Sequence, residues 1–233
     1  MVHCKVIAEV GVNHNGNLWE AKELLREAAH AGADAVKFQM FSAENLERPE
    51  LEQYEITAWE MENIAAECSK IDIEFMCTPF DKQAVDFLDP LVKTFKIGSG
   101  QAGDLDFVQY VASKGKPMII SLGMLDHKWE LKVPVSWLHC VSLYPCPPEK
   151  ANLQRMVKMK LDGYSDHTEG IEIALAAAAL GAKIIEKHIT LDKTQAGPDH
   201  ICSAEPDEFK ALVKGIRKIE LAEFNSPSWS LTV

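Results

Sequence analysis

The chain has 233 residues, 47% of them hydrophobic, and its 24 basic and 35 acidic residues leave a formal net charge of -11. This acidic balance argues against a nucleic-acid or anionic-membrane surface, because either would need an exposed basic patch. No apolar run approaches the ~20 residues of a membrane span, and the chain starts without a charged-then-apolar signal segment, so we expect a cytoplasmic protein.

Short apolar runs, most of them β-branched, alternate with segments of helical period. The runs predict strands at Val6–Val10, Ala35–Gln39, Ile73–Thr78, Thr94–Gly98, Pro117–Leu122, Val135–Val141, Gly163–Asp166 and Lys183–Ile189. The helical segments are Trp19–Ala31, Ala58–Lys70, Lys82–Leu88, Asp104–Ser113, Thr168–Leu180 and Pro206–Phe224. Gly32 is placed to stop the first helix. The pattern is weakest between Val133 and Asp162, where a proline-rich loop precedes the expected helix.

Alternation of strand and helix is typical of parallel βαβ units, and eight repeats predict an α/β fold, the (β/α)8 TIM barrel. The competing fold is a doubly wound open sheet. It normally carries a GxGxxG loop after the first strand, whereas this chain has GVNHNG there. We therefore expect a single barrel domain over residues 1–225 and a short C-terminal tail over residues 226–233.

Two consecutive predicted strands end in histidine, at His167 and His188. Side chains alternate along a strand, so Glu186 and His188 face one way and Lys187 the other. Parallel pairing would bring the two strand tips to roughly 5 Å. Imidazole is a common ligand of divalent transition metals, so the pair predicts a metal site. The alternative is two unrelated histidines at strand ends.

In a barrel, chemistry gathers at the carboxyl ends of the strands. The polar residues at these predicted ends are Glu9, Asn13, His14, Lys37, Gln39, Thr78, Lys96, Ser99, Gln101, Ser121, His139, Ser142, Tyr144, Ser165, Asp166, His167, Glu186 and His188. Lys37 and Lys96 are expected to point inward, and a buried lysine is costly unless it meets an anion. That anion is either an internal partner, Glu9 or Glu186, or a bound phosphate or carboxylate.

Eight motifs carry a resemblance to a known family, in the family's order and over nearly the entire chain. They are AEVGVNHNG, VKFQ, CTPFD, KIGSG, LHCVSLYP, GYSDHTEG, EKHIT and the GPDH…CSAEPDEFK run. In these segments the chain resembles the N-acetylneuraminate (sialic acid) synthases. The resemblance implies a barrel enzyme that condenses phosphoenolpyruvate with an amino sugar, using a divalent ion, and that forms a homodimer.

The resemblance also implies roles for individual residues. The metal ligands are His167 and His188, and the expected ion is Mn²⁺, with Mg²⁺ or Co²⁺ as alternatives. The phosphoenolpyruvate contacts are Lys37, Thr78, Lys96, Ser99 and Ser165. The acceptor side involves Glu9, Gln39, Tyr144 and Asp199, with Ser142 at a further substrate-contact position. The catalytic positions are Glu9, Lys37 and Gln101.

Three departures from the family pattern bear on the activity. Gln101 replaces a glutamate, and an uncharged amide cannot act as a general base. Ser142 replaces an asparagine, which shortens a polar contact. Family members usually continue into a small antifreeze-like domain that reaches into the partner's active site, whereas this sequence ends at Val233. We therefore expect a more open acceptor side and an acceptor that need not be an N-acetylhexosamine.

The leading hypothesis is a condensation of phosphoenolpyruvate with an aldehyde sugar such as N-acetylmannosamine or a related acceptor. Its products would be a sialic-acid-like 2-keto-3-deoxy acid and phosphate. Two alternatives stay open at this point. One is another metal-dependent, aldol-type condensation on a smaller aldehyde, and the other is a non-catalytic barrel that binds a ligand.

Overall fold

The computed structural model describes residues 3–224, so the tail predicted for residues 226–233 lies outside the described residues. The strands are β1 Lys5–Gly11, β2 Ala35–Met40, β3 Glu74–Pro79, β4 Phe95–Ile97, β5 Met118–Ser121, β6 Val135–Cys140, β7 Gly163–Asp166 and β8 Ile184–His188. The helices are α1 Leu18–Ala31, α2 Ala58–Lys70, α3 Lys82–Leu88, α4 Leu105–Ala112, α5 Leu153–Lys158, α6 Glu172–Ala179 and α7 Pro206–Phe224. Across residues 3–224, no helix is both long and apolar enough to cross a membrane.

All eight strands belong to one sheet, in the order β3-β2-β1-β8-β7-β6-β5-β4, and the pairs are parallel. The two end strands, β3 and β4, lie beside each other, which brings the sheet nearly to closure. The predicted TIM barrel is therefore confirmed. Because β7 and β8 are neighbours, the two histidine-bearing strand tips lie side by side.

Local sequence signals explain where the helices begin and end. The Asn17 side chain caps α1 by accepting hydrogen bonds from two first-turn N–H groups, and Gly32 ends that helix in the left-handed region at φ 87°. Thr57 and Glu60 form a reciprocal capping box at the start of α2. Such caps satisfy backbone groups that a helix leaves open at its ends.

The barrel interior is built in layers. An apolar cluster fills the lower part and consists of Ile7, Ala35, Met76, Ile119, Leu138 and Ile184. Two residues further along the same strands, on the same face, stand Glu9, Lys37, Thr78, Ser121, Cys140 and Glu186. Because residues on one face of a strand recur every second position, the apolar layer is followed directly by a polar layer inside the barrel.

The predicted bounds agree with the structure to within a few residues, and those of α2, α3 and α7 coincide with it. The predicted start of α6 at Thr168 is wrong, since the helix begins at Glu172. The N–H of Thr168 donates to the Asp166 carboxylate, and its carbonyl oxygen accepts a hydrogen bond from Lys187. These bonds hold Thr168 in the turn that follows β7 and keep it out of the helix.

Candidate active site

A cavity of about 320 Å³ opens at the carboxyl ends of the strands. Its polar lining includes Glu9, Lys37, Gln39, Thr78, Lys96, Ser99, Gln101, Ser121, Tyr144, Ser165, His167, Glu186, His188 and Asp199. These residues come from strands β1 to β8 and from the loops that follow them. The barrel therefore gathers into one place groups that are far apart in the chain.

Two lysines and two glutamates form a buried charged cluster at the floor of this cavity. Lys37 Nζ lies 2.6 Å from Glu9 Oε2 and 3.9 Å from Glu186 Oε2. Lys96 Nζ lies 3.4 Å from Glu186 Oε1. All four side chains are at most 5% exposed. The internal Lys–Glu pairing that the sequence left open is therefore present, and it faces the cavity.

Neutral groups extend this cluster on both sides. Gln39 Nε2 donates to Glu9 Oε1 at 2.9 Å, and Ser165 Oγ donates to Glu186 Oε1 at 2.8 Å. The Lys37 ammonium also donates to Thr78 Oγ1 at 3.1 Å. Glu9 Oε2 is paired with Lys37, whereas Glu186 Oε2 is buried without a hydrogen bond. The cluster thus keeps acceptor capacity that its own members do not use.

The two glutamates hold their protons differently. Burial raises the pKa of Glu9 against the opposing charge of Lys37, and the nearby Glu186 carboxylate raises it further. Burial also acts to raise the pKa of Glu186, but Lys37 and Lys96 outweigh it and lower that pKa to about 2. Two carboxyl groups around one lysine do not ionise equally. Glu186 keeps the negative charge, and Glu9 takes up a proton more readily.

The lysines differ in the same way. Burial lowers the pKa of Lys96, and the attraction of Glu186 only partly offsets that effect. Burial also acts to lower the pKa of Lys37, but Glu186 and Glu9 outweigh it and leave that pKa above its ordinary value. Of the two lysines, Lys37 is therefore the more firmly charged.

The His167 and His188 rings meet above this cluster, with their centroids 5.6 Å apart. His167 Nδ1 donates to the carbonyl oxygen of Val141 at 2.7 Å, which leaves the Nε2 lone pair free. Burial lowers the pKa of His167 to about 4 and holds the pKa of His188 well below its ordinary value. Both rings are therefore neutral near pH 7, the form in which imidazole binds metals.

Two further side chains complete the upper part of the site. The Tyr144 ring lies over His167 at a centroid distance of 4.1 Å. Asp199 Oδ2 lies 3.6 Å from His188 Nδ1, and this buried nitrogen has no hydrogen-bond partner. Burial, together with the charge of Glu9, raises the pKa of Asp199 to about 7. Asp199 therefore gains and loses its proton near neutral pH.

The site residues expected from the sequence line this one cavity, with one exception. Ser142 is not part of the lining, and its Oγ lies 2.6 Å from Ser99 Oγ, through which it supports the cavity wall. Among the other polar strand-end residues, Asn13, His14, His139 and Asp166 lie outside the lining. His139, for example, bonds the carbonyl oxygen of Ala151 on the outer side of β6.

Sequence reasoning missed one wall of the cavity. Phe41, Leu46, Arg48 and Leu51, all in the connection between β2 and α2, reach over its mouth. No periodic pattern marks this segment, and Arg48 is tied to Glu50 by an exposed ion pair. A possible signal was the position of the segment, because the loop after a barrel strand borders the site.

Comparison with known proteins assigns the family. Residues 24–226 match the NeuB family. The chain belongs to the NeuB family. This membership confirms the family resemblance seen in the motifs, and it makes the chain an enzyme, a carbon–carbon bond-forming synthase.

Individual NeuB relatives agree with this assignment along most of the chain. N,N'-diacetyllegionaminic acid synthase of Legionella pneumophila is 41% identical, over 93% of this chain and 72% of its own. N-acetylneuraminate-9-phosphate synthase of Homo sapiens is 36% identical, over 98% of this chain and 73% of its own. The crystal structure of N-acetylneuraminic acid (sialic acid) synthetase from Leptospira borgpetersenii in complex with citrate superposes with a TM-score of 0.89, at 35% identity, covering 97% of this chain and 87% of that one.

Proposed function

We propose that this NeuB-family synthase condenses phosphoenolpyruvate with an aldehyde sugar and releases a 2-keto-3-deoxy acid and phosphate. The observation that carries the proposal is the convergence of two buried lysines and two neutral imidazoles on one cavity. A trianion needs fixed positive charge, and an aldehyde needs an electrophilic partner. Relatives that make sialic-acid-type sugars support the same reaction class.

Phosphoenolpyruvate is held on the lysine side of the cavity. Lys37 and Lys96 supply the charge, and the hydroxyl groups of Thr78, Ser99 and Ser165 supply neutral donors. The bound anion competes with Glu9 and Glu186 for contacts with the two lysines. Because Glu9 accepts a proton more readily than Glu186, protonation of Glu9 relieves the repulsion between this carboxyl and the incoming anion.

A divalent cation, Mn²⁺ in the first place and Mg²⁺ or Co²⁺ as alternatives, is held by His167 and His188. The buried, unpartnered Nδ1 of His188 and the free Nε2 lone pair of His167 fit such an ion. Within residues 3–224, no three His, Cys, Asp or Glu side chains form a ready cage, so His167 and His188 would be the ligands that the protein supplies. When bound, the ion polarises the aldehyde carbonyl.

The acceptor sugar occupies the histidine side, next to Gln39, Tyr144 and Asp199. The phosphoenolpyruvate C3 attacks the aldehyde carbon and forms the new C–C bond, while the aldehyde oxygen takes a proton. Water then adds to C2 and loses a proton, and the resulting tetrahedral centre expels phosphate by C–O cleavage to leave the 2-keto group. The Glu9 carboxyl, with its raised pKa, holds and returns the proton in these transfers.

The test is phosphate release from phosphoenolpyruvate in the presence of Mn²⁺ and a panel of aldoses that includes N-acetylmannosamine. We expect release that depends on one acceptor and a product whose mass equals acceptor plus pyruvate. Lys5→Met serves as a matched control for Lys96→Met, since Lys5 is a strand lysine at the opposite end of the barrel. Absence of phosphate release with every acceptor contradicts the proposal. Phosphate release with short aldehydes but with none of the sugars supports the smaller-aldehyde alternative.

A further inference from the structure

A second lysine–carboxylate pair links the two histidine-bearing strands from behind. Lys187 Nζ lies 2.9 Å from Asp166 Oδ2, and both side chains are 0% exposed. Asp166 and Lys187 are register partners on β7 and β8, and each precedes a histidine of the site by one residue. Because neighbouring side chains point to opposite faces, the pair lies on the face away from the cavity.

The pair also fixes the turn around His167. Asp166 Oδ1 accepts hydrogen bonds from the Thr168 N–H at 3.0 Å and from Thr168 Oγ1 at 2.8 Å. Lys187 donates to the carbonyl oxygen of Thr168. The residues on both sides of His167 are therefore bonded to each other and to the residue that precedes His188.

A buried ion pair is weak support for stability, because desolvation of both charges offsets their attraction. We infer that Asp166 and Lys187 are positioning residues, which set the separation of the His167 and His188 rings. The consequence for metal affinity rests on the proposed function, whereas the ring separation itself does not. Groups that orient metal ligands from behind commonly change affinity by about 10- to 100-fold when they are removed.

The test variant is the double substitution Asp166→Asn/Lys187→Met, which removes both charges and leaves an amide oxygen for the Thr168 donors. The matched control is Glu74→Gln/Lys5→Met, which removes an inter-strand pair of 2.8 Å at the opposite end of the barrel. Mn²⁺ binding is measured by electron paramagnetic resonance of the free ion. Phosphoenolpyruvate binding is measured by calorimetry, and the ring separation is taken from metal-free crystals.

We expect the Mn²⁺ dissociation constant of the double variant to rise by about tenfold or more, and that of the control by less than about twofold. Phosphoenolpyruvate affinity should stay within about threefold, since Lys37 and Lys96 face the cavity and the substituted pair lies on the opposite face of the strands. General loosening of the fold would instead weaken the binding of both ligands. The ring centroids should move away from their 5.6 Å separation.

Unchanged ring separation in the double variant overturns the inference, whether or not the wild-type protein binds Mn²⁺. Failure of the wild-type protein to bind Mn²⁺ contradicts instead the metal in the proposed function. If the double variant does not fold, Thr168→Val tests the inference instead, because it removes only the hydrogen bond from the Thr168 hydroxyl to Asp166. Its metal-free crystals should show displaced rings, with Mn²⁺ binding weakened by about threefold. Unchanged ring separation in Thr168→Val overturns the inference.

Discussion

The two ends of the barrel use charged pairs in opposite ways. At the amino ends of the strands, Lys5 pairs with Glu74 at 2.8 Å and Arg217 pairs with Asp34 at 2.7 Å, and these four side chains are 23–29% exposed. At the carboxyl ends, the pairs of Lys37 and Lys96 with glutamate are at most 5% exposed. Water therefore screens the charges of the first set more strongly than those of the second.

This difference separates charged groups that stabilise the fold from charged groups that face the cavity. The Arg217 guanidinium also bonds the Cys4 carbonyl oxygen and Glu220, so its donors meet several acceptors. At the other end, Glu186 Oε2 and His188 Nδ1 are buried without a hydrogen-bond partner. Unsatisfied buried polar atoms cost stability unless a further group pairs with them, and these two lie where we propose that substrate and cation bind.

The largest effect is expected from the double substitution His167→Ala/His188→Ala. Loss of the proposed cation site should remove detectable Mn²⁺ binding and slow phosphate release by at least about 1,000-fold, since carbonyl polarisation contributes several kcal/mol. Steady-state phosphate assays and Mn²⁺ titration measure this. The control is His3→Ala, an exposed histidine at the opposite end, which should behave as wild type. Full activity in the double variant would remove the histidines from the mechanism.

The next effect concerns Lys96→Met. Truncation of one buried charge in a paired site costs about 2 kcal/mol or more in binding, so phosphoenolpyruvate should bind about 30-fold more weakly or worse. Calorimetric titration of wild-type, Lys96→Met and Lys5→Met proteins checks the contrast between the two ends. Equal affinities in the three proteins would show that the lysine does not contact the anion.

A third prediction uses the raised pKa of Asp199. The pKa is about 7 in the folded protein against an ordinary value of 3.8, so the folded state binds more protons between these values. Stability of the metal-free protein should therefore fall as pH rises from about 4 to 7. Asp199→Asn removes this loss, and its stability advantage over wild type should grow by about 2 kcal/mol between pH 5 and pH 8. Urea unfolding at both pH values measures it, and a pH-independent difference contradicts it.

The smallest effect is expected at the amino ends of the strands. Glu74→Gln/Lys5→Met removes a partly exposed pair, so the free energy of unfolding should fall by about 1 kcal/mol or less. The Michaelis constant for phosphoenolpyruvate should stay unchanged. A fall of several kcal/mol in the free energy of unfolding, or a change in that Michaelis constant, would contradict the difference drawn between the two ends of the barrel.

Most of the fold and much of the site were predictable from local patterns. Strand and helix periods predicted the barrel, and the histidines at 167 and 188 predicted two neighbouring strand tips. The polar residues at the predicted strand ends nevertheless included His139, which does not line the cavity. Barrel strands are buried on both faces, so hydrophobicity does not tell which alternate residues point inward. The wall formed by Phe41, Arg48 and Leu51 was missed because a loop has no period to read.

The sequence alone determined the order of the elements, the family motifs and most of the polar residues that line the cavity, because these depend on short-range pattern. Only the tertiary structure decided that Glu9 and Glu186 share Lys37, and that their pKa values move in opposite directions. It also decided that Lys187 reaches Asp166 behind the histidines. Burial and through-space distance set these properties, and neither is encoded in any single segment.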